Sequence, residues 1–540
     1  MIAPTIVFRC DASRQIGTGH VMRCRRLARA LQGRGADITF LCRRHACDLI
    51  ALLQQEFRVL VLPELPPILP EVETASPLSG RALYATWLGC SEEQDALDSL
   101  AALAAAHIWS ASWIVLDHYG LGEGWQRLMM DGLRQPQGPA LQLLVLDDLA
   151  DRKHQASVLM DANRLEPATP DPYQDLVGQG CTTLLGPGYA LLDPLYSLMQ
   201  PTMPLRSRLS RVLVFFGGMD ANNHAALGLE ALSHPALLHL GVDVVVGEAA
   251  PHRAALERLA SQRPNTSLHV GLPSLAGLMA RADLALGAAG TTSWERACLG
   301  LPSLVVPVAE NQEQGARALE LAGVARCLNL QAAANPVATM QSALLELLDA
   351  PATLQAMSEA CLQLGDGRGL SRVVAALLGP ATGLRLRSPQ AADLWLYHWW
   401  ANDPQVRLQS FNRAPIPLAQ HRRWFASRLH SPLALLRVLV DGDGLPLGQI
   451  RFEREAESDA RAVIAFSLDR LARGRGLASQ LLELGVEELS RAWGKRCDAY
   501  GEVRVDNPAS CTAFLRAGFH EGPSPRSGVR CFAKTARSEP

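Results

Sequence analysis

At 540 residues the chain exceeds what one hydrophobic core supports, and roughly two to four domains are expected. With 48% hydrophobic and 19% charged residues and no low-complexity tract, it has the composition of a globular protein and not of a disordered one. Its 51 basic and 53 acidic residues, a formal charge of -2, give no general attraction to nucleic acid or to an anionic membrane, so any anion must be held by a local site.

Twelve cysteines lie scattered without CxxC pairs or His/Cys metal spacing, which reads as free thiols in a reducing compartment with no metal expected. The opening residues lack a basic leader and reach Arg9 and Asp11 too early for a signal peptide. The most apolar long stretch, 97–116, is broken by His107, Ser110 and Ser112 and reads as an Ala-rich helix followed by a strand, not as a membrane span. A cytoplasmic location is the expectation.

The first third alternates strand-like runs at 5–8, 37–41, 113–116 and 143–146 with helical patterns such as 21–32, the signature of a parallel, doubly wound sheet. Functional residues are then expected in loops at the carboxyl ends of the strands. After the first strand, Ile16-Gly17-Thr-Gly19-His20 forms a Gly-rich turn into a helix. Glycine permits close ligand approach, and the helix start offers N–H donors to a phosphate. Met22 stands where a dinucleotide fingerprint needs its third glycine, which disfavours NAD. His20 can point into the cleft and take a proton from water, or it can simply cap or pack the helix. Asp11 can orient His20 or a sugar hydroxyl, or it can form the turn.

After the Pro-containing segment 199–210 the rhythm restarts, with strands expected at 211–216, 242–246, 267–270, 284–286 and 303–306. Two α/β domains facing a cleft, 1–204 and 205–379, suit a nucleotide sugar. Gly217 and Gly218 follow a strand and can bring N–H groups to a substrate, or make a tight turn. Gly290, Thr291, Thr292 and Ser293 sit where a strand ends and a helix begins, so their donors can converge on a diphosphate, while Glu295 can accept from two ribose hydroxyls. The alternative is an ordinary N-cap with a dipole-complementing acid. Asn311 and Gln312 end another strand that can face the same cleft.

Together, the Gly-x-Gly-His turn with its following Met22-Arg23, the VLDHY run at 115–119, LDDLADR at 146–152 and GAAGTTSWERACLGLP at 287–302 carry a resemblance. Residues 1 to about 370 resemble the UDP-2,4-diacetamido-2,4,6-trideoxy-β-L-altropyranose hydrolases of pseudaminic acid synthesis, themselves similar to UDP-sugar glycosyltransferases of GT-B fold. The resemblance implies that His20 activates water at the anomeric carbon and releases UDP with inversion. It implies that Gly290 to Ser293 and Glu295 hold diphosphate and ribose, with Asn311 and Gln312 near the sugar or phosphates. A glycosyltransferase using the same loops with a sugar acceptor is the rival reading.

A third domain, 380–540, is expected after the turn residues 379–383. In it Arg473-Gly474-Arg475-Gly476-Leu477-Ala478 follows a strand and opens a helix, placing N–H groups around a pyrophosphate. Downstream, Asn507, Ser510, Phe514 and Gly518-Phe519 complete a strand–helix pattern. Both parts in this order resemble the GNAT acetyltransferase superfamily, which implies acetyl-CoA as co-substrate. The leading segment, with Asn402-Asp403-Pro404, His421 to Phe425 and the strand at 448–450, resembles the subgroup acetylating UDP-4-amino-sugars. Many GNAT enzymes carry a general-acid tyrosine where this chain has Phe514. The proton then comes from elsewhere, Ser510 or water among the choices, or the domain is a non-catalytic assembly module. Fusion of consecutive steps implies neighbouring pathway enzymes as further partners. The overall expectation is α/β: two Rossmann-like domains in GT-B arrangement followed by a GNAT domain.

Overall fold

The computed structural model describes residues 3–64, 80–134, 140–165, 171–309, 312–455, 458–493, 497–524 and 526–536. The chain forms two compact units, Met1–Val374 and Ala375–Pro540. The division falls inside the helix Gly369–Leu378, whose Ala375 packs in the core of the second unit, and the turn residues begin at Gly379, with φ +80°.

The first unit holds two parallel sheets. The first contains β1 (Thr5–Cys10), β2 (Asp37–Arg43), β3 (Arg58–Leu62), β4 (Trp113–Asp117), β5 (Gln142–Leu146), β6 (Val158–Asp161) and β7 (Thr182–Leu185), in the order β3-β2-β1-β4-β5-β6-β7. These strands read as apolar runs because crossover helices cover both faces; every residue of β4 is buried. On one face Val7, Leu41, Ile114, Leu116, Leu143 and Val145 share a core with Trp125 and Met129 of the helix Glu123–Gly132. The buried Trp125 ring loses no hydrogen bond, since its Nε1 donates to Asp95 at 3.0 Å. Asp95 also takes Arg9 on both oxygens and Arg43 on one, so the buried charges at the heart of the sheet compensate each other. Removing that carboxylate would leave two buried guanidiniums short of a partner and cost about 3–5 kcal/mol.

The second sheet contains β8 (Arg211–Phe215), β9 (Gly241–Val246), β10 (Thr266–Val270), β11 (Leu284–Ala288), β12 (Ser303–Val306) and β13 (Ala325–Cys327), in the order β10-β9-β8-β11-β12-β13. Asp243, within the fully buried β9, is held ionised by Arg211, His269 and Arg281. In both sheets the strand order reverses once, between β1 and β4 and between β8 and β11. A ligand crevice belongs outside the carboxyl ends at such a reversal. That places residues 11–20 and 117–120 at one crevice, and residues 216–220 and 289–293 at the other.

The second unit is one mixed sheet of β14 (Arg385–Arg387), β15 (Ala434–Val440), β16 (Pro446–Glu455), β17 (Ser458–Leu468), β18 (Cys497–Arg504), β19 (His520–Gly522) and β20 (Val529–Ala536). Its order is β14-β15-β16-β17-β18-β20-β19, antiparallel except between β17 and β18. That parallel pair is matched only from Arg461–Val463 to Asp498–Tyr500; beyond it the two strands run on without pairing to each other. Ile450 and Phe452 pack with Leu481, Leu482 and Val486 of the helix Leu477–Trp493 on one face, while Leu436, Val438 and Val440 pack with Tyr397, Trp400 and Phe425 on the other. Among the described residues no helix is long and apolar enough to cross a membrane.

Candidate functional site

The first sheet builds its site from two neighbouring strands. β1 ends at Cys10, the chain turns through Gly17 at φ +79°, and the helix Gly19–Gly33 begins with Gly19 and His20. No side chain caps that helix, so its first N–H groups keep no side-chain partner. Next to it, β4 ends at Asp117, which is fully buried. His20 Nδ1 lies 2.5 Å from Asp117 Oδ1. One helical turn on, Arg23 donates to both oxygens of Asp117, Nε to Oδ2 at 2.6 Å and Nη2 to Oδ1 at 2.7 Å. Burial would raise the Asp117 carboxyl, but Arg23 and His20 outweigh it and hold the group well below the usual carboxylate range. An ionised Asp117 fixes the imidazole tautomer: Nδ1 carries the proton and Nε2 offers its lone pair. Nε2 has no hydrogen-bond partner among the described residues, and His20 keeps 8% of its surface exposed. The arrangement leaves Nε2 facing outward as a hydrogen-bond acceptor.

Asp11 does not hold His20. It is buried in an ion pair with Arg9 at 2.8 Å, accepts the Arg43 backbone N–H, and faces His118 and His45 at 3.6 and 3.7 Å. The physical reason is register: Asp11 directly follows β1 and is drawn to the neighbouring β2 end, whereas Asp117 ends β4 on the helix side. The orienting carboxylate therefore lies in the VLDHY run. Reading each strand's last residue as a crevice residue would have found it.

Further groups support the dyad. Tyr119 sits edge-on to His20, ring centroids 4.6 Å apart, and its hydroxyl donates to Asp148 Oδ2 at 2.5 Å. Arg23 Nη1 donates to the same oxygen at 2.8 Å. Asn163 Nδ2 donates to Asp148 Oδ1 at 2.8 Å, and Trp294 Nε1 donates to Asn163 Oδ1 at 3.0 Å. Close by, the Tyr173 hydroxyl lies 3.0 Å from both Asp147 and Asp161. One hydroxyl proton cannot serve two carboxylates at once; burial and then Asp148 push Asp161 up to about 7, against the pull of Arg164. A cleft of about 680 Å³ opens beside the same turn, its lining including Arg14, Arg44, His45 and Trp87 but not His20.

In the second sheet Gly217, with φ +101°, and Gly218 follow β8, and an added Cβ on either would meet nothing within 4 Å. Gly290 is similarly open, its nearest neighbour being Gln312 Nε2 at 3.8 Å. The helix Thr292–Cys298 begins after Thr291 with no side-chain cap, so Thr291 and Thr292 do not act as capping groups. Ser293 is buried and accepts from Arg296. Glu295 is turned inward: Arg26 donates to one oxygen at 2.9 Å and Tyr196 to the other at 3.0 Å. Each Glu295 oxygen thus already holds one protein donor, so a ribose hydroxyl would have to share the carboxylate with Arg26 and Tyr196. Gln312 Oε1 accepts from the Val308 N–H at 3.2 Å. Asn311 lies outside the described residues.

In the second unit Gly474 and Gly476 have φ of +73° and +75° and open space where a Cβ would project. The helix Leu477–Trp493 starts directly after them, so this turn and the Leu477 and Ala478 N–H groups form an open backbone turn at a helix start. The guanidinium groups are engaged elsewhere: Arg473 pairs with Asp403 at 2.9 Å and Gln405 at 2.7 Å, and Arg475 donates to the Leu471 carbonyl. Asn507 caps the helix Pro508–Arg516 by accepting from Ser510 N–H, and the Ser510 hydroxyl has no partner among the described residues. Phe514 is buried between Phe466, Phe519 and Phe532, and a Cβ added to Gly501 would lie 2.4 Å from its Cζ. Buried His421, beside His398, is pushed down to about 4 by burial, so its imidazole is neutral at neutral pH.

Residues 212–370 match the glycosyltransferase family 28 C-terminal domain, and residues 383–520 match the acetyltransferase (GNAT) domain. Over 201 residues the chain is 28% identical to the spore coat polysaccharide biosynthesis protein SpsG of Bacillus subtilis (strain 168). That alignment takes in 37% of this chain and 59% of the relative, so the chain spans just under three fifths of the curated protein it matches. Among solved structures, MurG of Acinetobacter baumannii is 16% identical, covering 69% of this chain and 99% of its own, with a TM-score of 0.45. The spermidine N-acetyltransferase of Vibrio cholerae, in complex with CoA and spermine, is 17% identical and covers 28% and 95%, with a TM-score of 0.26. The fold itself rests on the strand orders given above. The chain joins a part similar to SpsG and to family 28 glycosyltransferases with a GNAT acetyltransferase domain.

Proposed function

We propose that the first unit hydrolyses a UDP-linked 2,4-diacetamido-2,4,6-trideoxy-β-L-altropyranose, and that the second unit acetylates the 4-amino group of the preceding UDP-amino-sugar. The observation that carries the hydrolase reading is the His20–Asp117 dyad, with Nε2 left free for a water molecule. In the reaction the water oxygen forms a bond to the anomeric carbon while the bond from that carbon to the phosphate oxygen breaks. The electron pair leaves with UDP, the water proton passes to Nε2, and Asp117 stabilises the resulting imidazolium. UDP is a good leaving group, so the chemistry asks for charge stabilisation more than for a strong general acid. The open backbone at Gly217, Gly218 and Gly290 and the uncapped helix start after Thr291 would supply it. Support comes from the likeness to SpsG, a polysaccharide biosynthesis protein by name.

The match to a glycosyltransferase C-terminal domain favours one rival, in which Nε2 deprotonates a sugar hydroxyl in place of water. Incubation with the UDP-sugar and no acceptor decides between them, followed by NMR: free sugar appearing with UDP supports hydrolysis, and no turnover supports transfer. His20→Ala should abolish either.

For the second unit, the residues present fit acetyl-CoA. The φ-positive Gly474 and Gly476 and the N–H groups at 474–478 would hold its pyrophosphate, and the unpaired edges beyond Val463 leave room between β17 and β18 for an extended arm. Acetyl-CoA supplies the activated acetyl thioester. Phe514 offers no proton, so the thiolate's proton comes from elsewhere, the Ser510 hydroxyl, water or another residue. Acetylation of a UDP-4-amino-sugar by the full chain tests this; failure to bind acetyl-CoA would make the unit an assembly module.

A further inference from the structure

One hydrogen-bonded path runs from the helix that follows the glycine-rich loop of the second sheet to the dyad on the first. Trp294, in the first turn of the helix Thr292–Cys298, donates to Asn163 at 3.0 Å; Asn163 donates to Asp148 at 2.8 Å. Asp148 accepts from Arg23 and from the Tyr119 hydroxyl on its other oxygen. These last two are the groups that hold His20: Arg23 grips both oxygens of the carboxylate that fixes its tautomer, and Tyr119 packs against its ring. Each link has a hydrogen-bond distance, and the side chains are buried or nearly so. Such a chain has little slack, because Asp148 can satisfy Arg23, Tyr119 and Asn163 together in only one arrangement.

We propose that Asp148, Asn163 and Trp294 are positioning residues that tie the geometry of the His20–Asp117 dyad to the nucleotide-side helix, so that the base is aligned when that helix is in place. The proposal rests on the hydrolase reading above. It assigns a role in turnover to residues whose own bonds would otherwise be read as ordinary packing between two sheets. Its signature is a loss in kcat without an equal loss in nucleotide affinity, since none of the three contacts the open backbone at Gly217, Gly218 or Gly290.

The test uses the full-length chain with the UDP-diacetamido-trideoxy-sugar as substrate and UDP as the binding probe. Trp294→Phe removes one N–H donor, and Asn163→Ala removes the link on both sides. Each should lower kcat by about 10- to 100-fold, the scale of a modest misplacement of reacting groups. The UDP Kd should stay within about threefold of the parent, and the acid limb of the pH–kcat profile should move. Because both substitutions break the same path, the double variant should be no slower than the slower single one. Tyr119→Phe, which deletes only a hydroxyl, gives the same readout if Asn163→Ala proves unstable in thermal melting. The proposal is overturned by an unchanged kcat in both single variants, by multiplicative losses in the double, or by losses that appear wholly in UDP affinity. His20→Ala separates the two levels. UDP release retained by that variant sinks the hydrolase reading, whereas an inactive His20→Ala beside parent-like Trp294→Phe and Asn163→Ala sinks the coupling alone.

Discussion

Replacing Asp117 by Asn tests the core of the reasoning with an almost isosteric change. The carboxylate accepts four donors: His20 Nδ1 and Arg23 Nη2 on Oδ1, and Arg23 Nε and the Cys24 thiol on Oδ2. An amide has one accepting oxygen. If that oxygen stays on the His20 side, the new NH2 confronts Arg23 Nε. If it turns to satisfy Arg23 Nε, the NH2 confronts His20 Nδ1 and forces the proton to Nε2, which destroys the base. Loss of the correct tautomer in a comparable carboxylate–histidine pair lowers kcat by about 10⁴-fold, and a partial population of the right tautomer brings the expected loss to about 10³–10⁴. That is about 4–5.5 kcal/mol of barrier. A second consequence is structural: Arg23 loses half of its buried charge partners, with Asp148 remaining, so the folded unit should lose up to about 3 kcal/mol. UDP release without acceptor, followed with thermal melting, measures both. A variant within about tenfold of the parent would show that Asp117 does not set the state of His20, and the dyad argument would fail.

Other expectations are more local. Burial pushes His118 and His154 down to about 4, so the fold disfavours their charged form, and their contribution to stability is present above pH 6.5 and lost as pH falls toward 4. A shift from 6.5 to about 4 corresponds to about 3 kcal/mol for each group; His154→Gln should flatten the fall in urea midpoint between pH 7.5 and 5, and an unchanged fall refutes this. Gly476→Ala places a Cβ on a φ of +75°, which should cost about 1 kcal/mol and weaken acetyl-CoA binding by calorimetry. Phe514→Tyr should not improve acetyl transfer, since the ring is locked in an aromatic cluster with its Cζ close to Gly501; overpacking should lower stability by about 1–3 kcal/mol. A gain in acetylation rate would contradict that placement.

The parallel sheets were legible because their strands are apolar runs separated by helical periodicity, and each strand expected in the second sheet lies within two residues of its observed bounds, although the short Ala325–Cys327 was not foreseen. The glycines at 217, 218 and 290 were legible for a related reason: backbone freedom is encoded in residue type. Pairings between distant side chains were not. Asp11 and Asp117 are both aspartates near a strand end, and only the order of β1, β2 and β4 decides which of them meets His20. Glu295 was read from its helix position alone, yet Arg26, 269 positions away in sequence, decides where its carboxylate points. Four of the five members of the Asp148 path, Arg23, Tyr119, Asp148 and Trp294, lie in the motifs singled out above, but nothing in the sequence says that they meet, and Asn163, which joins them, lies outside any of those motifs.

The carboxyl ends of β4, β5 and β6 carry Asp117, Asp161 and the adjoining Asp147 and Asp148, against Arg23, Arg152 and Arg164. Four carboxyl groups facing three guanidiniums leave that rim with no surplus positive charge for a diphosphate. The corresponding rim of the other sheet presents glycines and uncapped N–H groups instead. On the hydrolase reading, a nucleotide sugar would therefore lay its diphosphate against the glycine rim, where backbone N–H groups stand open, and leave its uncharged ring on the side of the histidine, so that the two rims act as an electrostatic keyway.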